Sequence, residues 1–448
     1  AFTYSPIRDS AGRVVGVSAI GQDVTERKRA ETDRERLLAA EQEARAFAEA
    51  DHITSMDFHI GRVTAVPMEL RSSLGHYDEA TYIERCRAWQ RRLHDGGWAG
   101  ITWPKAYGGR GGRPIEQVIF NQEQARYGVS TGAFMISIGM AGPTILAHGT
   151  DEQKDRFLAP MLRGDELWCQ LFSEPDAGSD LANLSTRAER DGDEWVVTGQ
   201  KVWTSSPDRA RWGMLLARTD FGVRKHAGIS YFLLDMASPG IEVRPLRQMT
   251  GEAHFSEVFL DGVRLPAANL LGAPGEGWRV AQTTLSSERS SIAGGVGLTP
   301  EAVVALARSF GRAGDPLVRQ ALVDVHVRAE LLRFLRYRTQ TAISQGRAPG
   351  QEASVMKLAY ARLMKAMTEV AIDTQGAAGM LGREDVVDDG TWLRRFLHSP
   401  SLRIAGGSDQ VQANIVGERA LGLPPEPRPD KDTPFRGPGP TAAPSAAR

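Results

Sequence analysis

The chemistry-bearing stretch of this chain is Ser173-Glu174-Pro175-Asp176-Ala177-Gly178-Ser179-Asp180. A second stretch answers it shortly afterwards: Gly199-Gln200-Lys201-Val202-Trp203-Thr204-Ser205. Neither carries an obvious nucleophile, metal cluster or phosphate loop. The first is a tight turn of small residues with hydroxyls at both ends. The second is a strand that ends on an indole followed by two hydroxyls. A flat ring system rich in hydrogen-bonding groups needs these parts. Gly brings backbone N–H groups close, hydroxyls donate and accept, and an aromatic face stacks.

Elements of several kinds must position such a site. The 448 residues allow two to four domains and a substantial core. With 54 basic against 55 acidic residues, the net charge is −1, so no global field points to nucleic acid. Two cysteines make no disulfide framework, which sets a reducing, cytoplasmic expectation. No apolar run approaches the ~20 residues of a membrane span, and no signal-peptide pattern opens the chain. It begins at Ala1, which reads as a fragment or a processed chain. The nine histidines show no ligand spacing with Cys or carboxylates.

Residues 1–29 read as two short strands around the Asp9-Ser10-Ala11-Gly12 turn, then Asp23 and Glu26 at helix-capping spacing. They resemble the last hairpin and exit motif of a PAS sensor domain, about a quarter of one. Two strands alone bury no core, so a remnant or fusion joint is expected. Residues 30–55 read as a linker helix, with Ala30, Leu37 and Ala44 at heptad spacing. Either a weak coiled coil or a solvated helix fits.

Residues 56–165 read as a helical domain. Its helices start near Ala80, Ile115 and Gly139, and another follows Gly149-Thr150 with Asp151 and Glu152 in its first turn. Residues 166–275 read as a β domain. Apolar runs at Trp195, Met214, Tyr231, Ile241 and Val258 are separated by Gly, Pro and Asp turns, suggesting a small antiparallel barrel or sandwich. Residues 276–424 read as a helical bundle, with stripes Leu322, Val325, Ala329, Leu332 and Met356, Leu363, Val370. Residues 425–448 are Pro-rich, with disorder expected.

This order, with its motifs, resembles the acyl-CoA dehydrogenase family over about 56–424. The motifs are Trp103-Pro104 to Gly109, Gly149-Thr150 to Lys154, the two stretches above, Glu257 to Pro266, Gly275-Glu276-Gly277-Trp278, and Ile404 to Gln412 followed by Gly422-Leu423-Pro424. The implied fold is α+β and multidomain: N-terminal helices, a middle antiparallel β-barrel and a C-terminal four-helix bundle. The implied activity is FAD-dependent α,β-dehydrogenation of an acyl-CoA thioester to the trans-2-enoyl-CoA, a step of fatty acid β-oxidation.

The resemblance implies site residues one by one. Phe172 and Ser173 would lie against the isoalloxazine, beside the Gly178-Ser179 turn. Trp203 would cover its other side, and Thr204 and Ser205 would reach the ring edge. Ser179 would also face the pantetheine arm. Gly376 and Gly379 resemble the loop receiving the adenosine end of FAD, although the usual Gln before a double glycine is replaced by Asp373 and Gly376-Ala377. Ser408, Asp409 and Gln410 match the other adenine-side contact. The arginine that commonly clamps the diphosphate is out of place, with Arg308 one position off.

The base of this family is a carboxylate. Many members carry it at the position of Gly406 here, which cannot act as one. A second branch, including isovaleryl-CoA and long-chain acyl-CoA dehydrogenases, carries it on the helix after the β domain, matching Glu288. Taken alone, Glu288-Arg289 reads as a surface pair. Glu288 is therefore the expected base, Gly406 the backbone donor to the thioester oxygen, and Arg289 a substrate-side residue. Ala405 and Gly406 are small where relatives place Tyr and Glu, which predicts room for branched, cyclic or polycyclic acyl chains. The implied partners are the acyl-CoA, an electron-transfer flavoprotein, and further subunits in a homodimer or homotetramer, with a hetero-oligomer as the alternative. A flavin oxidase of the same fold, a catalytically silent subunit and a PAS-linked signalling protein are the competing readings.

Overall fold

The computed structural model describes residues 4–8, 14–19, 79–124, 127, 129, 132–293, 298–345, 352–381, 390–427 and 433–435. Two units separate, Ala1–Val66 and Pro67–Arg448. In the first, β1 (Tyr4–Arg8) and β2 (Val14–Ala19) pair antiparallel, with Tyr4 opposite Ala19. The expected linker helix at 30–55 lies outside the described residues.

The second unit opens with helices α1 (Glu79–Asp95) and α2 (Pro114–Gln124). Between them Trp103 packs its ring so closely on Gly142 that a Cβ there would stand 2.2 Å from the indole. A π-turn, Ser137–Ala141, leads into α3 (Gly142–His148), and α4 (Asp151–Arg163) follows. Thr150 and Gln153 cap α4 reciprocally, each side chain accepting the other's backbone N–H.

The middle domain is a seven-stranded sheet among the described residues. Its strands are β3 (Trp168–Leu171), β4 (Arg187–Asp191), β5 (Glu194–Ser205), β6 (Trp212–Arg218), β7 (Ile229–Asp235), β8 (Ile241–Leu246) and β9 (Phe255–Pro266). All of β6 is buried, and its side chains alternate between two cores. Trp212, Met214 and Leu216 pack toward the helices with Leu158, Met161 and Val280. Leu215 and Ala217 pack inside the curled sheet with Val197, Val258 and Leu260. The sheet departs from the wholly antiparallel expectation at β6: β4 meets it in parallel where Arg187 pairs with Arg218, and β3 runs parallel to β6. The chain between them, which includes β4 and β5, is long enough to return in the same direction.

The C-terminal domain contains α5 (Gly277–Ala293), α6 (Pro300–Ser309), α7 (Pro316–Ser344), α8 (Glu352–Gln375), α9 (Thr391–His398) and the short α10 (Asp409–Ile415). Val325, Leu332, Met356 and Leu363 are buried together, as their spacing predicts. Within the tail expected to be disordered, residues 433–435 lie on the middle domain. Phe435 donates its N–H to the Val223 carbonyl at 2.8 Å, and the buried Arg218 guanidinium sits 3.5 Å from its ring centre. A desolvated cation–π contact and a backbone bond offset the ordering entropy that the composition alone would not. No helix among the described residues is long and apolar enough to cross a membrane.

Candidate active site

The turn from Phe172 to Asp180 leaves the end of β3 and is clamped to β5. Val202 donates its N–H to the Ser173 carbonyl at 2.9 Å. Lys201, fully buried, donates to the Phe172 carbonyl at 3.1 Å and to Glu174 Oε1 at 2.7 Å. Glu174 also accepts from the Ser185 N–H and hydroxyl and the Thr186 N–H, at 2.6, 2.9 and 2.9 Å. Burial pushes the Glu174 carboxyl up. The Lys201 ammonium and these donors outweigh it and hold the pKa at about 2, so the carboxylate is ionised.

Beyond Lys201 the pairing of β5 with β9 slips, and the irregularity ends at Thr204. Trp203 sits in it with φ 60°, a left-handed conformation costing about 1–2 kcal/mol for a non-glycine residue. Its side chain is 60% exposed, touched at the edge by Phe255 at 6.1 Å between ring centres. Thr204 is buried with its hydroxyl unpartnered, and Ser205 is half-buried. Gly178 and Ser179 are exposed, and a Cβ at Gly178 would meet nothing within 4 Å. A strained, open indole face beside an orphaned hydroxyl and an uncrowded glycine turn fits a flat ring such as the isoalloxazine.

Glu288 lies on α5, one turn after the buried Thr284, whose hydroxyl bonds Thr144 at 2.9 Å and Tyr231 at 3.1 Å. Its Oε2 accepts from Gln170 Nε2 at 3.2 Å. Gln170 stands on β3 two residues before Phe172, so the carboxylate is tied to the strand that enters the ring turn. Arg289 follows on α5; its side chain lies outside the described residues.

The loop after Ile404 is fastened to α8 and α10. Gly406 and Gly407 have φ 65° and 86°, conformations that need glycine. Gln412 donates to the Gly406 carbonyl at 2.7 Å. Lys357 of α8, fully buried, donates to the Gly407 carbonyl at 2.6 Å and stands 3.9 Å from Asp409. Burial lowers its pKa, the Asp409 charge raises it, Arg403 lowers it and Glu288 raises it. The net direction is downward, with burial the largest cause, and the lysine's hydrogen bond braces the Gly406 loop.

The residues expected on the adenine side are placed unevenly. Ser408 caps α10, accepting from Val411 N–H at 3.3 Å. Asp409 is buried and bound by Arg403 at 2.7 Å, so it braces the loop from inside, while Gln410 is exposed. Gly376, at φ 58°, opens a 3-10 turn. Gly379 is buried so close to Ile372 that a Cβ would stand 2.9 Å from its carbonyl oxygen. Arg308 is exposed. Sequence reasoning assigned no site role to Gln170, Glu174, Lys201 or Lys357, whose partners lie 11 to 118 positions away, nor to Gln412, whose partner Gly406 lies 6 positions before it. Among the described residues no group of three His, Cys, Asp or Glu is placed to hold a metal.

Comparison with known proteins agrees. Residues 66–165, 169–263 and 275–421 match the acyl-CoA dehydrogenase N-terminal, middle and C-terminal domain models. The acyl-CoA dehydrogenase IpdE1 of Mycolicibacterium smegmatis is 41% identical, over 77% of this chain and 90% of that protein. FadE34 of Mycobacterium tuberculosis is 43% identical over 75% of this chain and 46% of its own length. Among solved structures, the Tcur3481-Tcur3483 steroid ACAD is 30% identical with a TM-score of 0.68, covering 77% of this chain and 90% of that one. The ChsE4-ChsE5 complex from Mycobacterium tuberculosis is 32% identical with a TM-score of 0.66, covering 78% and 93%.

The chain belongs to the acyl-CoA dehydrogenase family, whose members are FAD-dependent flavoproteins acting on the CH–CH bond of acyl-CoA thioesters.

Proposed function

We propose that this chain dehydrogenates acyl-CoA thioesters with bulky acyl groups, polycyclic ones included, and that Glu288 is the base. The observation that carries the assignment is the Glu288–Gln170 contact beside Phe172, with a glycine at the alternative base position. Bound FAD supplies the acceptor for the β-hydride. The Glu288 carboxylate takes the α-proton, and the Gly406 N–H donates to the thioester oxygen as negative charge grows on it. The α-carbon keeps the C–H electron pair, which becomes the new double bond as the β-hydride leaves.

Ser173, Thr204 and Ser205 would hold and orient the ring, Phe172 would support them from the core beneath, and Trp203 would cover it. Ser179 contacts the pantetheine arm, and Arg289 serves the substrate side. Gly376, Gly379, Ser408 and Gln410 serve the adenosine end. The small Ala405 and Gly406 leave room for the acyl group, and the likeness to a steroid ACAD supports that choice.

Electrons pass on to an electron-transfer flavoprotein, in the cytoplasm. The exposed Val323, Val327, Leu331 and Phe334 repeat along one face of α7 and suit a second subunit, identical or not. The hairpin of β1 and β2 is the end of a PAS-like domain.

The test is flavin reduction by a panel of acyl-CoAs running from short straight chains to ring-bearing ones. The highest kcat/KM is expected with branched or polycyclic chains. Activity confined to short straight chains would overturn the substrate class, and hydrogen peroxide formation at the rate of flavin reduction would make the enzyme an oxidase.

A further inference from the structure

We propose that Gln170 is the positioning residue of the base: its amide fixes the Glu288 carboxylate and sets the pH at which it becomes competent. This rests on the assignment of Glu288 above. The row Trp168, Gln170, Phe172 alternates along one face of β3 and its continuation. Trp168 and Phe172 are buried in the apolar core shared with α5, while Cys169 and Leu171 face the other way, into the curled sheet. Gln170 is the one polar member of that row. An amide on an apolar face must find a partner. Its Nε2 donates to Glu288 Oε2 at 3.2 Å, across 118 positions of sequence.

The Gln170 donor on one carboxylate oxygen does two things. It restricts rotation of the group, so the second oxygen is offered in one direction. It also stabilises the anion and lowers the pKa. An amide suits this use because it donates without adding charge. An ammonium or guanidinium there would hold the proton acceptor too firmly in its ionised state.

Among the described residues, other elements packed on α5 bring further polar groups. From α8 comes Lys357, whose pKa the Glu288 charge raises, as the smallest of its influences. From β7 comes Tyr231, held on Thr284 one turn earlier. From α3 comes His148, held by Thr283 at 2.8 Å and Arg279 at 3.3 Å. The π-turn brings no titratable side chain. Among these groups Gln170 is a neutral hydrogen-bond donor to Glu288.

The test compares Gln170→Leu and Gln170→Glu with the unmodified enzyme, all flavin-loaded. Two quantities are read: the pH profile of kcat/KM, and the protonated-carboxyl infrared band that Glu288→Gln removes, titrated without substrate. Losing one hydrogen bond to the anion should move the acidic limb and the infrared titration up together by about one pH unit for Gln170→Leu. Gln170→Glu, which places a second carboxylate there, should move both further. At low pH the rate should fall about tenfold with Gln170→Leu, with a smaller loss at high pH. Both variants folded and loaded, with both titrations unmoved, would overturn the proposal. If Glu288→Gln bleaches its flavin as fast as the unmodified enzyme, the base assignment itself fails, separately from the role of Gln170.

Discussion

Lys201 donates to Glu174 at 2.7 Å, and this buried pair fastens the ring turn to the strand that presents Trp203. The two residues belong to the two stretches that stand out in the sequence. Removing one partner leaves an uncompensated charge in the core. Lys201→Met should therefore cost about 3–5 kcal/mol and lower flavin content. Adding Glu174→Gln to Lys201→Met should recover part of the stability, because the stranded carboxylate is gone. Thermal unfolding of the single and double variants checks this.

The same pair predicts an acid response. The Glu174 pKa is held at about 2, below the ordinary 4.5. Its contribution is fully present above about 4.5 and is lost as pH falls toward about 2. Glu174→Gln should flatten that part of the stability profile, which melting temperatures between pH 5 and pH 2.5 would show.

Trp203 predicts effects of opposite sign. Trp203→Gly relieves the φ 60° backbone, about 1–2 kcal/mol. It also adds chain entropy to the unfolded state, roughly 0.5–1 kcal/mol. The flavin-free protein should thus lose little stability, while retention of flavin falls because the stacking face is gone. Melting temperature and the ratio of visible to ultraviolet absorbance read the two effects apart.

Lys357 ties the Gly406 loop to α8. Lys357→Met leaves the Gly407 carbonyl without its buried donor, costing about 1–3 kcal/mol. The Gly406 N–H should lose its alignment, lowering kcat/KM about tenfold or more. Steady-state kinetics on the loaded variant tests it. A kcat/KM within twofold of the unmodified enzyme would detach this loop from the chemistry.

Much of this architecture was readable in advance. The stripes of α7 and α8 and the runs in β5 to β9 repeat with helical and strand periods, and those periods follow from burial. β3 and β4 were not readable. Trp168-Cys169-Gln170-Leu171 is four residues long. Arg187-Ala188-Glu189-Arg190-Asp191 is nearly all charged, and it is a strand because β5 pairs back along it. In the site, Trp203 could be singled out because an indole suits stacking, whereas Glu288, a surface residue when taken alone, was singled out by the family resemblance and the glycine at position 406. Gln170 and Lys357 could not be, since a Gln in a strand or a Lys in a helix reads as a solvated residue until the distant partner is known. Arg218 and Phe435 illustrate the same limit: composition called the tail disordered, and a contact across more than two hundred residues orders its Phe.

The most direct test of the account is anaerobic, single-turnover flavin reduction by one good acyl-CoA, comparing Glu288→Gln with the unmodified enzyme. Glu288→Gln should retain flavin and bind the thioester, while bleaching at least about 10²-fold more slowly. Bleaching within a few-fold of the unmodified rate would show that another group takes the α-proton.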